Sequence, residues 1–123
     1  DLGKSAEEAY ASEVGFTLNE IKYTLAHLRK WMQPQSVRTN LLNLPGSSKL
    51  YYDPLGVVCI IAPWNYPFQL LIAPLIGAIA GGNCAVLKPS ELAPATSALV
   101  ATMIAEVFEQ QYIAVVEGEG HTV

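Results

Sequence analysis

The chain has 123 residues, enough for one domain with its own core or for part of a larger one. Hydrophobic residues make up 51% of it and charged residues only 15%, a balance that excludes an intrinsically disordered chain. The net charge of −4, with no basic cluster, excludes nucleic acid as a partner.

The polar, acidic start at Asp1 does not read as a secretory signal, and the ends at Asp1 and Val123 read as cut, those of a fragment. Apolar residues at Tyr10, Val14, Ile21, Leu25, Leu28 and Met32 recur at spacings near three and four, which predicts the buried face of a long helix. Ser5 is placed to cap it, with Glu8 completing a capping box. Glu7, Glu8 and Glu13 lie early and Arg29 and Lys30 late, as the helix dipole favours. Gly15 lowers helix stability by about 1 kcal/mol relative to Ala without breaking it. Pro34 ends the helix, and His27 is expected at a solvated or edge position on it. Residues 1–34 therefore form a helical segment.

Residues 35–53 read as an extended connecting segment. Two extended stretches, 37–44 and 49–52, flank the turn Pro45-Gly46-Ser47-Ser48. The pair Tyr51-Tyr52 suits packing or a subunit contact rather than chemistry.

From residue 54 strands and helices alternate. A strand over 56–62, with the continuous hydrophobicity of a strand buried on both faces, leads to a helix over 68–80 that Gly81-Gly82-Asn83 ends. A second strand covers 84–87. A second helix covers 94–108, with Leu99, Met103, Val107 and Phe108 on one face, and a third strand covers 112–116. This is a βαβαβ unit, so the fold class is α/β: a long N-terminal helix followed by part of a doubly wound parallel sheet over 54–123. The uncharged run 54–87 does not read as a membrane span, because Pro54, Pro63, Pro67 and Pro74 divide it and Lys and Arg do not flank it in the way they flank an anchored helix. Cys59 and Cys84 lie in apolar runs and read as buried reduced thiols of a cytoplasmic protein; with His27 and His121 they form no metal cluster.

Two polar clusters fall just past strand ends, where parallel sheets bind ligands. One is Pro63-Trp64-Asn65-Tyr66-Pro67, an amide held between two prolines and two aromatics; the other is Lys88-Pro89-Ser90-Glu91. From the residues alone, Asn65 could cap the following helix, Trp64 could be core, and Lys88 with Glu91 could be a surface ion pair of little energetic weight.

The motifs Pro54-Leu55-Gly56-Val57-Val58, Ala62-Pro63-Trp64-Asn65-Tyr66-Pro67, Gly81-Gly82-Asn83 and Leu87-Lys88-Pro89-Ser90-Glu91 together resemble the aldehyde dehydrogenase superfamily. The resemblance is nearest to its class 3 and fatty aldehyde branch, which Leu28-Arg29-Lys30-Trp31 also fits, and it covers essentially the whole chain. It implies oxidation of an aldehyde to a carboxylic acid with NAD or NADP. In that family a cysteine thiolate adds to the aldehyde, hydride leaves to the nicotinamide, and a glutamate activates the water that hydrolyses the thioester. The resemblance further implies that Asn65 stabilises the substrate oxyanion, that Lys88 and Glu91 hold the adenosine ribose, and that Ser90 between them also binds the cofactor. It places Ala62, Pro63 and Trp64 beside the cofactor, Tyr66 on the aldehyde channel, and no metal at the site. It also implies a homodimer. The family's glycine-bearing turn, general-base glutamate and nucleophilic cysteine are expected beyond Val123. Neither Cys59 nor Cys84 inherits the nucleophile's role, nor Glu91 that of the general base, so the 123-residue chain alone is expected to be inactive. The competing expectation is a non-catalytic nucleotide-binding or assembly module.

Overall fold

The computed structural model describes residues 1–119; His121 and the chain end at Val123 lie outside the described residues. Helix α1 (Ala6–Ala9) passes through a π-helical turn (Tyr10–Val14) into α2 (Gly15–Trp31), so the expected long helix is one rod with a bulge. Ser5 caps it, its Oγ accepting from the Glu8 backbone N at 3.1 Å. The bulge has a cause in the sequence. The Gly15 N–H donates back to the Tyr10 carbonyl, and a Cβ on Gly15 would lie 2.9 Å from that oxygen. Glycine alone admits the extra residue without displacing backbone.

The face that the apolar spacing predicts is not the one the rod buries. Glu13, Thr17 and Thr24 are buried, whereas Tyr10, Val14, Leu25 and Met32 are exposed; Ile21 and Leu28 are half-buried. The π turn inserts a residue between Tyr10 and the positions after Gly15, which breaks the register that the spacing assumes. Short hydroxyl side chains also suit the contact that α2 makes with the next helix. Thr17 Oγ1 donates internally, to the Glu13 carbonyl at 2.7 Å. His27 sits half-buried in a row with Tyr23 and Trp31, its ring stacked on Trp31 at 5.7 Å.

Residues 35–50 form a small antiparallel hairpin of β1 (Gln35–Val37) and β2 (Ser48–Leu50), with Val37 opposite Ser48. Its strands are shorter than expected. Leu41–Asn43 is a 3-10 turn, not extended chain, because the Asn40 side chain accepts from the Leu42 N at 3.3 Å and caps it. The Leu44–Pro45 peptide is cis.

Three parallel strands follow, as the alternating pattern predicts: β3 (Val57–Ile61), β4 (Cys84–Lys88) and β5 (Ile113–Val115), in that order across the sheet. Helices α3 (Gln69–Ala80) and α4 (Pro94–Val107) make the crossovers. Two successive right-handed crossovers that step the same way across a sheet put both helices on one face. The core follows that rule. Rows Val58–Ala85–Ile113 and Ile60–Leu87–Val115 pack against Leu71 and Leu75 of α3 and Val100 and Ile104 of α4. Helix α2 lies on α3 as a further layer. Gly82, at φ +75°, turns the chain out of α3, and Asn83 then fixes β4 beside β3 by accepting from the Gly56 N at 3.0 Å.

Among the described residues the opposite face of the sheet carries no helix, which corrects two expectations. Strand β3 is covered on one side only: Val57 and Ile61 are 71% and 72% exposed. For the same reason Cys59 is exposed and Cys84 only half-buried, rather than both being core thiols. On α4 the packed residues are Ser97, Val100 and Ile104, while Leu99, Met103 and Val107 look outward and only Phe108 of the expected set joins the core. Among the described residues no helix is long and apolar enough to cross a membrane, and no group of three or more His, Cys, Asp or Glu could hold a metal ion.

Candidate active site at the carboxyl edge of the sheet

The two polar clusters meet at one edge. The last rung between β3 and β4 is the hydrogen bond from the Ala62 N to the Lys88 carbonyl, 3.1 Å, so the segment carrying Asn65 and the segment carrying Glu91 leave the sheet side by side. On the other flank the Val116 N donates to the Leu87 carbonyl at 2.8 Å. Cys84 begins β4 at the far end and Cys59 lies mid-strand, so neither thiol stands at this edge.

Asn65 lies exposed in the loop between β3 and α3, with Trp64 and Tyr66 exposed on either side and Pro67 buried. The loop is fastened from the N-terminal segment. Lys4 Nζ donates to the Asn65 carbonyl at 3.0 Å and stands 4.1 Å from the centroid of the Tyr66 ring. The same ammonium pairs with Glu13 Oε1 at 2.8 Å. Glu13 Oε2 accepts from the backbone N of Phe68 at 2.9 Å and of Gln69 at 3.3 Å. Helix α3 has no side-chain cap from its own flank, so Glu13 is its cap and Asn65 is not. Helix α4 is served in the same way: Asp1 accepts from the Ala95 N at 3.1 Å and the Thr96 N at 2.7 Å.

Lys4, Glu13 and Asp1 were not legible as site residues. Glu13 carries only a dipole signal in the sequence. The usable clue was negative: Phe68 and Ala93, directly ahead of α3 and α4, are not capping residue types, so both helix starts need an acceptor from elsewhere.

At the second cluster Lys88 is only 4% exposed. Its Nζ donates to Glu91 Oε2 at 2.5 Å and to the Pro89 carbonyl at 3.1 Å. It is therefore no surface pair: a buried ammonium depends on those acceptors, and in holding Glu91 it orients the partly exposed carboxylate at the strand end. Ser90 is buried, and its Oγ accepts from the Leu92 N at 3.2 Å, tightening the turn. Ala62 is buried and Trp64 half exposed beside it.

This edge suits the sugar end of a dinucleotide. A carboxylate and an ammonium fixed at the end of a parallel strand can accept from and donate to a ribose diol. The helix starts that would otherwise draw phosphate already hold the carboxylates of Glu13 and Asp1.

Comparison with known proteins agrees with this fold. The aldehyde dehydrogenase family model matches residues 1–123. An aldehyde dehydrogenase of Craterostigma plantagineum is 51% identical over 118 residues, covering 96% of this chain and 25% of that protein. Aldehyde dehydrogenase family 3 member H1 of Arabidopsis thaliana is 48% identical, with 96% and 24% covered. The solved substrate-bound state of Staphylococcus aureus AldH superposes with a TM-score of 0.94 at 49% identity, over 97% of this chain and 26% of that one. The chain belongs to the aldehyde dehydrogenase family. It spans about a quarter of the length of the curated relatives it matches.

Proposed function

We propose that this chain is the segment of an NAD(P)-dependent aldehyde dehydrogenase that supplies the oxyanion amide and the ribose-binding strand end, in an enzyme oxidising aldehydes to carboxylic acids. The observation that carries the reading is the Ala62–Lys88 rung, which puts a neutral amide donor and a fixed carboxylate on neighbouring strand ends of a parallel sheet. The family membership supports the aldehyde as substrate, and the family generally uses NAD(P).

The dinucleotide, when bound, supplies the hydride acceptor. Glu91 accepts from the ribose hydroxyls, Lys88 orients it, and Ser90 keeps the turn between them compact. Ala62, Pro63 and Trp64 form the wall beside the nucleotide. Asn65 donates its side-chain N–H to the carbonyl oxygen of the aldehyde as negative charge gathers there. A neutral amide suits that task, because it donates without a proton leaving or arriving. Tyr66 lines the aldehyde's approach. The nucleophilic thiolate and the base that activates water come from the rest of the enzyme. The bare sheet face, with Val57 and Ile61 exposed, supports a larger body over a stand-alone module, since a solvated apolar sheet face calls for a cover. The reading includes a cytoplasmic homodimer, with the exposed Tyr51 and Tyr52 beside β2 as candidates for its contact.

The test is NAD binding by the complete enzyme, the product of the reading frame that contains this segment. Removing the carboxylate with Glu91→Ala is expected to weaken NAD binding roughly 10-fold or more, the scale of a hydrogen bond to a charged group. An unchanged dissociation constant would take the ribose site away from this edge.

A further inference from the structure

We infer that Lys4 and Glu13 are positioning residues for the reaction: together they hold the Asn65 amide where the substrate oxygen needs it. The inference rests on the oxyanion reading of Asn65 given above. The backbone around Asn65 belongs to no helix or strand, and among the described residues its carbonyl is held by one side-chain donor, the Lys4 ammonium at 3.0 Å. Three positions later the chain is held again, by Glu13 Oε2 on the Phe68 and Gln69 N–H groups. The two anchors are one unit, because Lys4 Nζ and Glu13 Oε1 are 2.8 Å apart. The clamp thus grips the loop on both sides of Tyr66 and Pro67, with the ammonium also against the Tyr66 ring.

Burial makes the clamp stiff. The side chains of Lys4 and Glu13 are 16% and 8% exposed, so water competes poorly for either charge. The backbone adds a second constraint. Glu13 lies inside the π turn, and Gly15 is what permits that turn, so the bulge sets where the carboxylate emerges from the rod. An oxyanion donor acts through preorganisation, and a displacement of about 1 Å can lower a rate as much as 10²-fold. Lys4 and Glu13 therefore act on turnover through Asn65 while touching neither substrate nor cofactor.

The test is a double-mutant cycle on kcat in the complete enzyme, with the NAD dissociation constant measured on each form. Lys4→Met is expected to lower kcat by about 10- to 100-fold while leaving NAD affinity unchanged. In an Asn65→Ala background the same substitution is expected to cause almost no further loss, because its target is already gone. Lys4→Arg, which keeps charge and donors, is expected to recover most of the rate. Glu13→Gln, which loses the ion pair but keeps an acceptor for Phe68, repeats the cycle if Lys4→Met does not fold. A kcat unaffected by both Lys4→Met and Glu13→Gln, while Asn65→Ala still falls, would overturn the clamp and leave the oxyanion reading standing. Equal losses in both backgrounds would overturn it too, since the effect would then bypass Asn65. An Asn65→Ala enzyme with normal kcat would remove the oxyanion reading and the clamp with it.

Discussion

The carboxylate of Glu13 accepts a hydrogen bond of 2.9 Å from the backbone N–H of Phe68, 55 positions further along the chain, and so caps a helix of the sheet from the N-terminal rod. Asp1 treats the start of α4 in the same way, at 2.7 Å from the Thr96 N. Both helix starts lie at the carboxyl edge of the parallel strands, where an α/β sheet collects its ligands. The N-terminal segment is thus a strap across the candidate site.

The strap depends on the π turn, and Gly15 is its weak point. An exposed Gly→Ala change inside a regular helix stabilises by about 1 kcal/mol. Here the added Cβ would meet the Tyr10 carbonyl at 2.9 Å, a backbone clash that costs roughly 1–3 kcal/mol to relieve. Gly15→Ala is therefore expected to lower the unfolding free energy, read by denaturant titration of the complete enzyme. A more stable variant would show that the bulge does not require glycine.

How much of this was legible follows from what each signal reports. The strands and helices between 57 and 115 stood out because Pro or Gly bounds most of the apolar runs and polar residues 109–111 separate the last two, and the parallel order followed from their alternation. The long helix was legible in extent but not in its buried face. Apolar spacing records which side chains avoid water, and a π turn that shifts the register at Gly15 leaves no mark in that spacing. The exposed side of β3 was misread for a related reason: Val57, Cys59 and Ile61 are apolar as a buried face would be, yet no element within residues 1–119 covers them. The position of Asn65 and Glu91 just past neighbouring strand ends was legible because prolines frame both segments. Lys4 and Glu13 were not, because their roles exist only once residues some 55 to 61 positions apart are brought together.

The state of Glu91 bears on cofactor choice. Its carboxylate, held by Lys88, is expected to repel a ribose 2′-phosphate and accept from a free 2′-hydroxyl. Glu91→Gln in the complete enzyme is expected to weaken NAD and shift the preference toward NADP. Dissociation constants for both cofactors on both forms check this, and an unchanged ratio would contradict it.

The 123-residue chain by itself is expected to give no aldehyde-dependent NADH and no esterase turnover. Its two thiols lie away from the carboxyl edge, and Glu91 is engaged by Lys88. Turnover by the purified chain, measured by absorbance, would mean that the nucleophile lies within it.

The most direct measurement is kcat for Asn65→Ala in the complete enzyme, with NAD affinity and melting temperature taken on the same sample. Glu13, and not Asn65, caps α3, so removing the amide should leave the melting temperature close to wild type. Loss of one oxyanion donor typically lowers the rate by about 10²–10³-fold. The account predicts a fall of that order with NAD affinity unchanged, because the ribose contacts lie on the neighbouring strand end. A folded Asn65→Ala enzyme that turns over at the wild-type rate would contradict it.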